Sequence, residues 1–207
     1  RESNFTAVSA VDLRNMAELY DTLFYDNSCL SLAHHYGMTF RWSSRMTRAG
    51  GKTTRFVKMG LARQHPEVKY EITLSSSLLF QTFQQSQREV RVCGCTCHDR
   101  LSAMQRIVEH EMTHLGEMLV WIDSNCSASR FQNIAKRMFG HTEHSHDLVT
   151  QRERAQRQYN IRVGSRVRFD HDGHQLTGIV NRITRRATIL VESPHGELYN
   201  NDQRYLK

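Results

Sequence analysis

His110-Glu111-Met112-Thr113-His114 combines two imidazoles and a carboxylate at a spacing suited to hydrolytic chemistry. A four-residue step on a helix puts both histidines on one face about one turn apart, where both can bind one tetrahedral Zn²⁺. Glu111 then stands beside the ion, and its carboxylate can take the proton of a water that the cation has acidified. The implied reaction is amide hydrolysis by activated water.

A catalytic zinc also needs a third protein ligand and one open position. A histidine six places past His114 is excluded, because that place holds Val120. The candidates are His141, Cys126, Glu117, His144 and His146. His141 closes a predicted helix of about eleven residues, which at 1.5 Å per residue can return its end to the level of His110. Cys126 follows the active helix in a short loop, and thiolate is a good zinc ligand. Glu117 points along the ligand face but too far along the axis, so it is expected to hydrogen-bond a ligand instead. His144 and His146 otherwise belong to a solvated polar loop.

Cys93, Cys95, Cys97 and His98 form a second donor cluster just before this helix. Alternate strand residues face one side, so the thiols can converge on another metal or plug the catalytic one. Cys29 is the remaining thiol besides Cys126, too few for a paired Cys-x-x-Cys site, and reduced free cysteines are the plainer reading. An odd total of five also argues against a secreted disulfide framework and for a reducing compartment, cytoplasmic, nucleoid or nuclear.

Several elements must position these groups. Leu13, Met16, Leu19, Tyr20, Leu23 and Phe24 mark an amphipathic helix over 9–25. Met38–Trp42 and Thr53–Lys58 alternate around a turn at Arg48–Lys52, which predicts a hairpin, and Lys69–Leu74 adds a strand. A helix is expected from the serines at 75–77 to Phe83, and a short strand over Glu89–Val92. Asp99 caps the active helix, which runs to about Trp121 on the stripe Leu101, Met104, Val108, Leu115 and Leu119. Ser129–Phe139 forms a further helix ended by Gly140. Arg152–Gln158 is a linker or exposed helix, and the short β runs beyond it suit a small five-stranded barrel. The chain is thus α+β, with domains expected at 1–150 and 151–207.

The composition is globular: 39% hydrophobic, 24% charged, with only 2 prolines and 11 glycines. No run approaches the ~18 apolar residues of a membrane span, and Arg1-Glu2-Ser3 lacks a signal-peptide pattern, so no membrane partner is expected. The net charge is +7, of which residues 151–207 carry a surplus of 5. Arg41, Arg45, Arg48, Lys52, Arg55 and Lys58 make a basic stretch without an acidic residue, either a phosphate-facing hairpin or a charged strand edge. Arg162, Arg166, Arg168, Arg182, Arg185 and Arg186 follow in the tail, where the last two sit at a predicted turn and can grip phosphate. DNA or RNA is therefore an expected partner beside a protein substrate, and the oligomeric state is left open.

Arg41-Trp42-Ser43-Ser44-Arg45-Met46 with Ala49-Gly50, Tyr70 to Ser75, the His-Glu-Met-Thr-His helix, and Arg130-Phe131 through Phe139-Gly140-His141-Thr142 together resemble the SprT-like metallopeptidases. That group contains the Spartan proteases of DNA–protein crosslink repair. The resemblance covers roughly residues 10–148, and it implies one catalytic Zn²⁺, Glu111 as base, and an active helix packed on a small antiparallel sheet. The family's third zinc histidine commonly stands in a His-Gly-Pro-x-Phe-like segment, whose place here reads Asn125-Cys126-Ser127-Ala128-Ser129-Arg130-Phe131. Either Cys126 substitutes, or His141 takes the role, or peptidase activity is lost and a zinc-stabilised domain that binds nucleic acid or protein remains. The tail resembles an SH3-like barrel.

Overall fold

The computed structural model describes residues 2–59, 66–85, 88–198 and 204–206, the side chains of 85, 193–198 and 204–206 excepted. The chain divides between Leu148 and Val149, against the expected 150/151.

In the first unit, Ser9 and Asp12 cap each other reciprocally and start α1 (Ala10–Phe24), which buries Leu13, Ala17 and Tyr20. The next helix, α2 (Ser28–Tyr36), has no side-chain cap of its own. Asp21 of α1 supplies it, accepting the Cys29 and Leu30 amides at 3.1 Å each. Strands β1 (Met38–Ser43), β2 (Gly51–Lys58) and β3 (Glu67–Ser75) form a sheet in the order β1-β3-β2. The expected hairpin does not form, because β3 lies between its two arms, parallel to β1 and antiparallel to β2. The reason is burial: β3 brings Tyr70, Ile72 and Leu74 to the core and takes the centre, while the basic strands take the edges. The sheet beneath the His-Glu-Met-Thr-His helix is thus mixed rather than antiparallel.

Next follow α3 (Ser76–Gln85), β4 (Val90–Val92), β5 (Cys95–Cys97), α4 (Arg100–Trp121), α5 (Ser129–Phe139) and β6 (His146–Asp147), with a second sheet ordered β5-β4-β6. Asp99 caps α4 reciprocally with Ser102, accepting its amide at 2.7 Å. Ile107, Met112 and Leu115 of α4 are fully enclosed with Ile72 and Leu74 of β3, Leu79 of α3 and Val92 of β4. Burying such side chains contributes about 1.5 to 3 kcal/mol each, which fixes the helix on the sheet. At its far end Ile122 adopts φ 71°, left-handed backbone that a β-branched residue rarely takes, and the chain turns back there toward α4.

The second unit begins with α6 (Gln151–Tyr159), capped by Thr150. It continues in β7 (Arg166–His171), β8 (His174–Ile183), β9 (Ala187–Leu198) and β10 (Arg204–Leu206), antiparallel in the order β10-β9-β8-β7. Asp172 and Gly173, both with positive φ, make the two-residue turn of β7–β8. Among the described residues of this sheet the buried apolar side chains are Val180, Ile183 and Leu190. Among the described residues this sheet is open, not the closed five-stranded barrel expected: β7 pairs only with β8, and the segment at Val163 stays exposed. The molecule is α+β, and among the described residues no helix is long and apolar enough to cross a membrane.

Candidate metal centre

On α4, His110 and His114 bring their Nε2 atoms to 3.1 Å. Two zinc–nitrogen bonds of 2.0–2.1 Å at the tetrahedral angle separate their nitrogens by about 3.3 to 3.4 Å, so the pair fits one ion. The partner of its opposite ring nitrogen fixes the tautomer of His114. Ser124 Oγ donates to Glu117 Oε2, so the contact of 2.6 Å between His114 Nδ1 and Ser124 Oγ requires Nδ1–H as donor. His110 Nδ1 lies 3.5 Å from Cys93 Sγ, whose one thiol hydrogen has both this nitrogen and the Arg106 carbonyl within reach. His114 Nε2 thereby presents a lone pair toward His110 Nε2, the geometry of two ligands facing one ion. Burial holds both imidazoles neutral: His114 is pushed down to about 4 and His110 well below its usual range.

Cys126 completes a set with these two, its sulfur and their nitrogens all lying within 4.8 Å of one another. Burial raises its thiol, so the thiolate a metal needs forms once a cation stands beside it. The Ile122 turn carries Ser124 and Cys126 back to the helix face. Phe131 of α5 packs on both imidazoles, 4.8 Å from His110 and 4.4 Å from His114 between ring centroids.

His141 stands elsewhere. Its Nε2 donates to Glu109 Oε2 at 2.8 Å, deep in the core, where Tyr20 and Arg106 bind the same carboxylate. Helix length alone suggested a return to His110; the left-handed Gly140 after α5 leaves its neighbour beside Glu109 instead. Glu117 is not among the donors either: its buried carboxylate receives Ser124 Oγ and Arg130 Nε, the latter at 2.7 Å, and so steadies His114 from behind. His144 lines the adjoining cavity, and His146 belongs to a different donor group with Cys93 and His110. Cys95, Cys97 and His98 lie in no donor group among the described residues.

Glu111 is buried, and that burial pushes its carboxyl up to about 7 against the opposing hydrogen bonds from Thr53. Thr53 Oγ1 donates to Glu111 Oε2 at 2.8 Å, a contact the spacing of the motif gives no hint of. Gly51 makes the approach of β2 possible, since a Cβ there would stand 2.5 Å from Glu111 Oε1. A cavity of about 490 Å³ opens over this group, lined by His110, Glu111, His114 and Cys126 together with Arg48 and Lys52.

The expected basic surface is divided. Arg41 and Lys52 flank Thr73 on one face of the sheet, and Arg41 pairs with Glu71 at 3.4 Å. Arg55 alternates with Lys52 and Thr54 onto the opposite face, while Arg45 and Arg48 occupy the loop between β1 and β2. In the second unit Arg162, Arg166, Arg168, Arg182, Arg185 and Arg186 are all exposed. Arg154, Arg185 and Arg186 border a separate cavity of about 290 Å³. Comparison of this chain with protein-family models, with curated proteins and with solved structures finds no match.

Proposed function

We propose that the first unit is a zinc-dependent metallopeptidase of the SprT-like kind, acting on proteins that accompany nucleic acid. The observation that carries this reading is the three-donor set His110, His114 and Cys126 with a buried carboxyl, Glu111, beside the same cavity. Three ligands leave a position open, whereas structural zinc sites close with four. Zinc supplies a Lewis acid there, acidifying water and polarising a carbonyl. Glu111 takes the water's proton and later returns one to the departing amine, a shuttle served by a carboxyl poised near neutrality. Thr53 holds that carboxylate in place.

Among the described residues β2 pairs only with β3, so its other edge, beside the cavity, offers main-chain groups to an extended peptide. That favours unfolded or extended protein segments over small amides. The tail is read as a module whose exposed arginines deliver the enzyme to DNA or RNA phosphates; within the first unit, Arg48 and Lys52 add positive charge at the cavity rim.

The deciding experiment is Glu111→Gln, which keeps shape and should keep zinc while cleavage of an unstructured protein falls at least ~100-fold. Undiminished cleavage overturns the mechanism. Absence of cleavage in the zinc-loaded unsubstituted protein favours the binding-domain alternative.

A further inference from the structure

His146 leaves a ring nitrogen without a partner inside the protein: its Nε2 is buried and makes no hydrogen bond, while Nδ1 faces Gly50. The ring stands edge-on to His110, 4.6 Å between centroids. Cys93 Sγ approaches the same histidine at Nδ1, the nitrogen opposite the one that meets His114. Donor atoms of Cys93, His110 and His146 all lie within 4.8 Å of one another, and this trio shares only His110 with the outer trio. The distance of 3.5 Å between Cys93 Sγ and His110 Nδ1 suits two ligands of one ion. Bonds of 2.3 Å to sulfur and 2.0–2.1 Å to nitrogen at the tetrahedral angle give about 3.5 to 3.6 Å.

The backbone builds this place. Cys93 takes left-handed φ 53° and is followed by Gly94 at φ 79°, a tight turn between β4 and β5. Its carbonyl accepts the amides of Thr142 and Glu143, and its own amide donates to the Ser145 carbonyl at 2.8 Å. Val92 and His146 are register partners between β4 and β6. Cys93 and His146 are therefore bound together through main chain before any ion arrives, which lowers the ordering cost of binding one.

We propose that Cys93, His110 and His146 form a second, inner site for a thiophilic d¹⁰ cation such as Zn²⁺, and that it competes with the outer site through His110. Binding releases the Cys93 thiol proton to solvent and uses the lone pair of His110 Nδ1. With the outer site empty the ring holds its one proton on Nε2, toward His114. With it filled, the ring must lose the proton to solvent and bridge two dications, so each ion weakens the other. The inner site thus acts as a brake at high metal.

The test uses Cd²⁺ as probe and needs no peptide cleavage, so it stands or falls apart from the peptidase reading. His114→Ala with Cys126→Ser removes two outer donors and keeps His110. This double variant should bind one equivalent with a thiolate-to-metal charge-transfer band. Adding Cys93→Ser or His146→Gln should weaken binding at least about tenfold, since even indirect ligand contacts carry that much; Cys95→Ser should not. Circular dichroism checks the fold, and His146→Gln decides if the Cys93 variant misfolds. No thiolate band in the double variant, or a band unaffected by His146→Gln, overturns the proposal.

Discussion

Replacing Gly51 by alanine tests whether β2 sets the position of the base. The added methyl would lie 2.5 Å from Glu111 Oε1, 2.7 Å from Ile107 Cγ2 and 2.8 Å from Glu111 Cγ. Carbon contacts settle at about 3.5 to 4.0 Å, so something must move by roughly 1 Å. Backbone φ at Gly51 lies outside the left-handed range, and contact alone opposes the substitution. Ile107 is locked in the core, while Glu111 borders the cavity, so the carboxylate yields and parts from Thr53. Overpacking costs about 1 to 3 kcal/mol, which for a chain of this size lowers the melting temperature by roughly 2 to 12 °C. Displacing a general base should cost ~100-fold or more in kcat with bound zinc retained. Because the effect runs through one carboxylate, Gly51→Ala combined with Glu111→Gln should cleave no worse than Glu111→Gln alone. Cleavage by Gly51→Ala at the unsubstituted rate, or a further loss in the double variant, refutes the reasoning.

In a Cys93→Ser background, which lacks the inner site, Cys126→Ser should empty the outer site as read by metal analysis, whereas His141→Ala should retain zinc and lose about 1 to 3 kcal/mol in chemical denaturation by removing one hydrogen bond from the buried Glu109 carboxylate. In chelator-treated protein, His110, His114 and His146 all titrate below their usual value through burial, so the unfolded chain binds more protons and stability should rise from about pH 4 to 6.5. Glu111, shifted up to about 7, works in the opposite sense and should leave a shallow decline from pH 6.5 to 7; flat melting temperatures between pH 4 and 6.5 would contradict the burial argument. Neutralising Arg185 and Arg186 should reduce the slope of log affinity for DNA or RNA against log salt by roughly 0.7 to 0.9 for each phosphate left unneutralised, and an unchanged slope removes them from the interface.

Elements with local signals are legible from the chain. Asp99 and the apolar stripe delimit α4, and Ser9 with Asp12 starts α1, because cap and helix are contiguous. α2 escapes the sequence reading since its cap is Asp21, contributed by another helix. Strand order escapes too: a turn signal at Arg48–Lys52 says nothing of a later, more apolar strand taking the centre. The same holds at the site. His110, Glu111 and His114 are read from spacing on one helix, whereas the third donor stays open in the sequence between His141 and Cys126. Thr53 and Phe131 reach the site through tertiary packing, and His141 is drawn to a core carboxylate that helix geometry gave no reason to consider.

The two ends of α4 are held by unlike means. At Asp99 a reciprocal cap is reinforced by Arg100, which binds the Asn4 and Phe5 carbonyls. At the other end Val120, Trp121 and Ile122 are exposed, the turn is left-handed at a β-branched residue, and the ties are made by side chains: Arg130 over the Trp121 ring and on Glu117, and Ser124 on Glu117 and His114. Opening of a helix starts where its end is least secured, and such local openings cost far less than global unfolding. Cys126 lies beyond that weak end, while His110 and Glu111 lie in the enclosed middle. An ion held at the proposed outer site is therefore expected to exchange by a brief unlatching of one thiolate, with α4 intact, so that its residence time would follow the last turn of α4 rather than the stability of the fold.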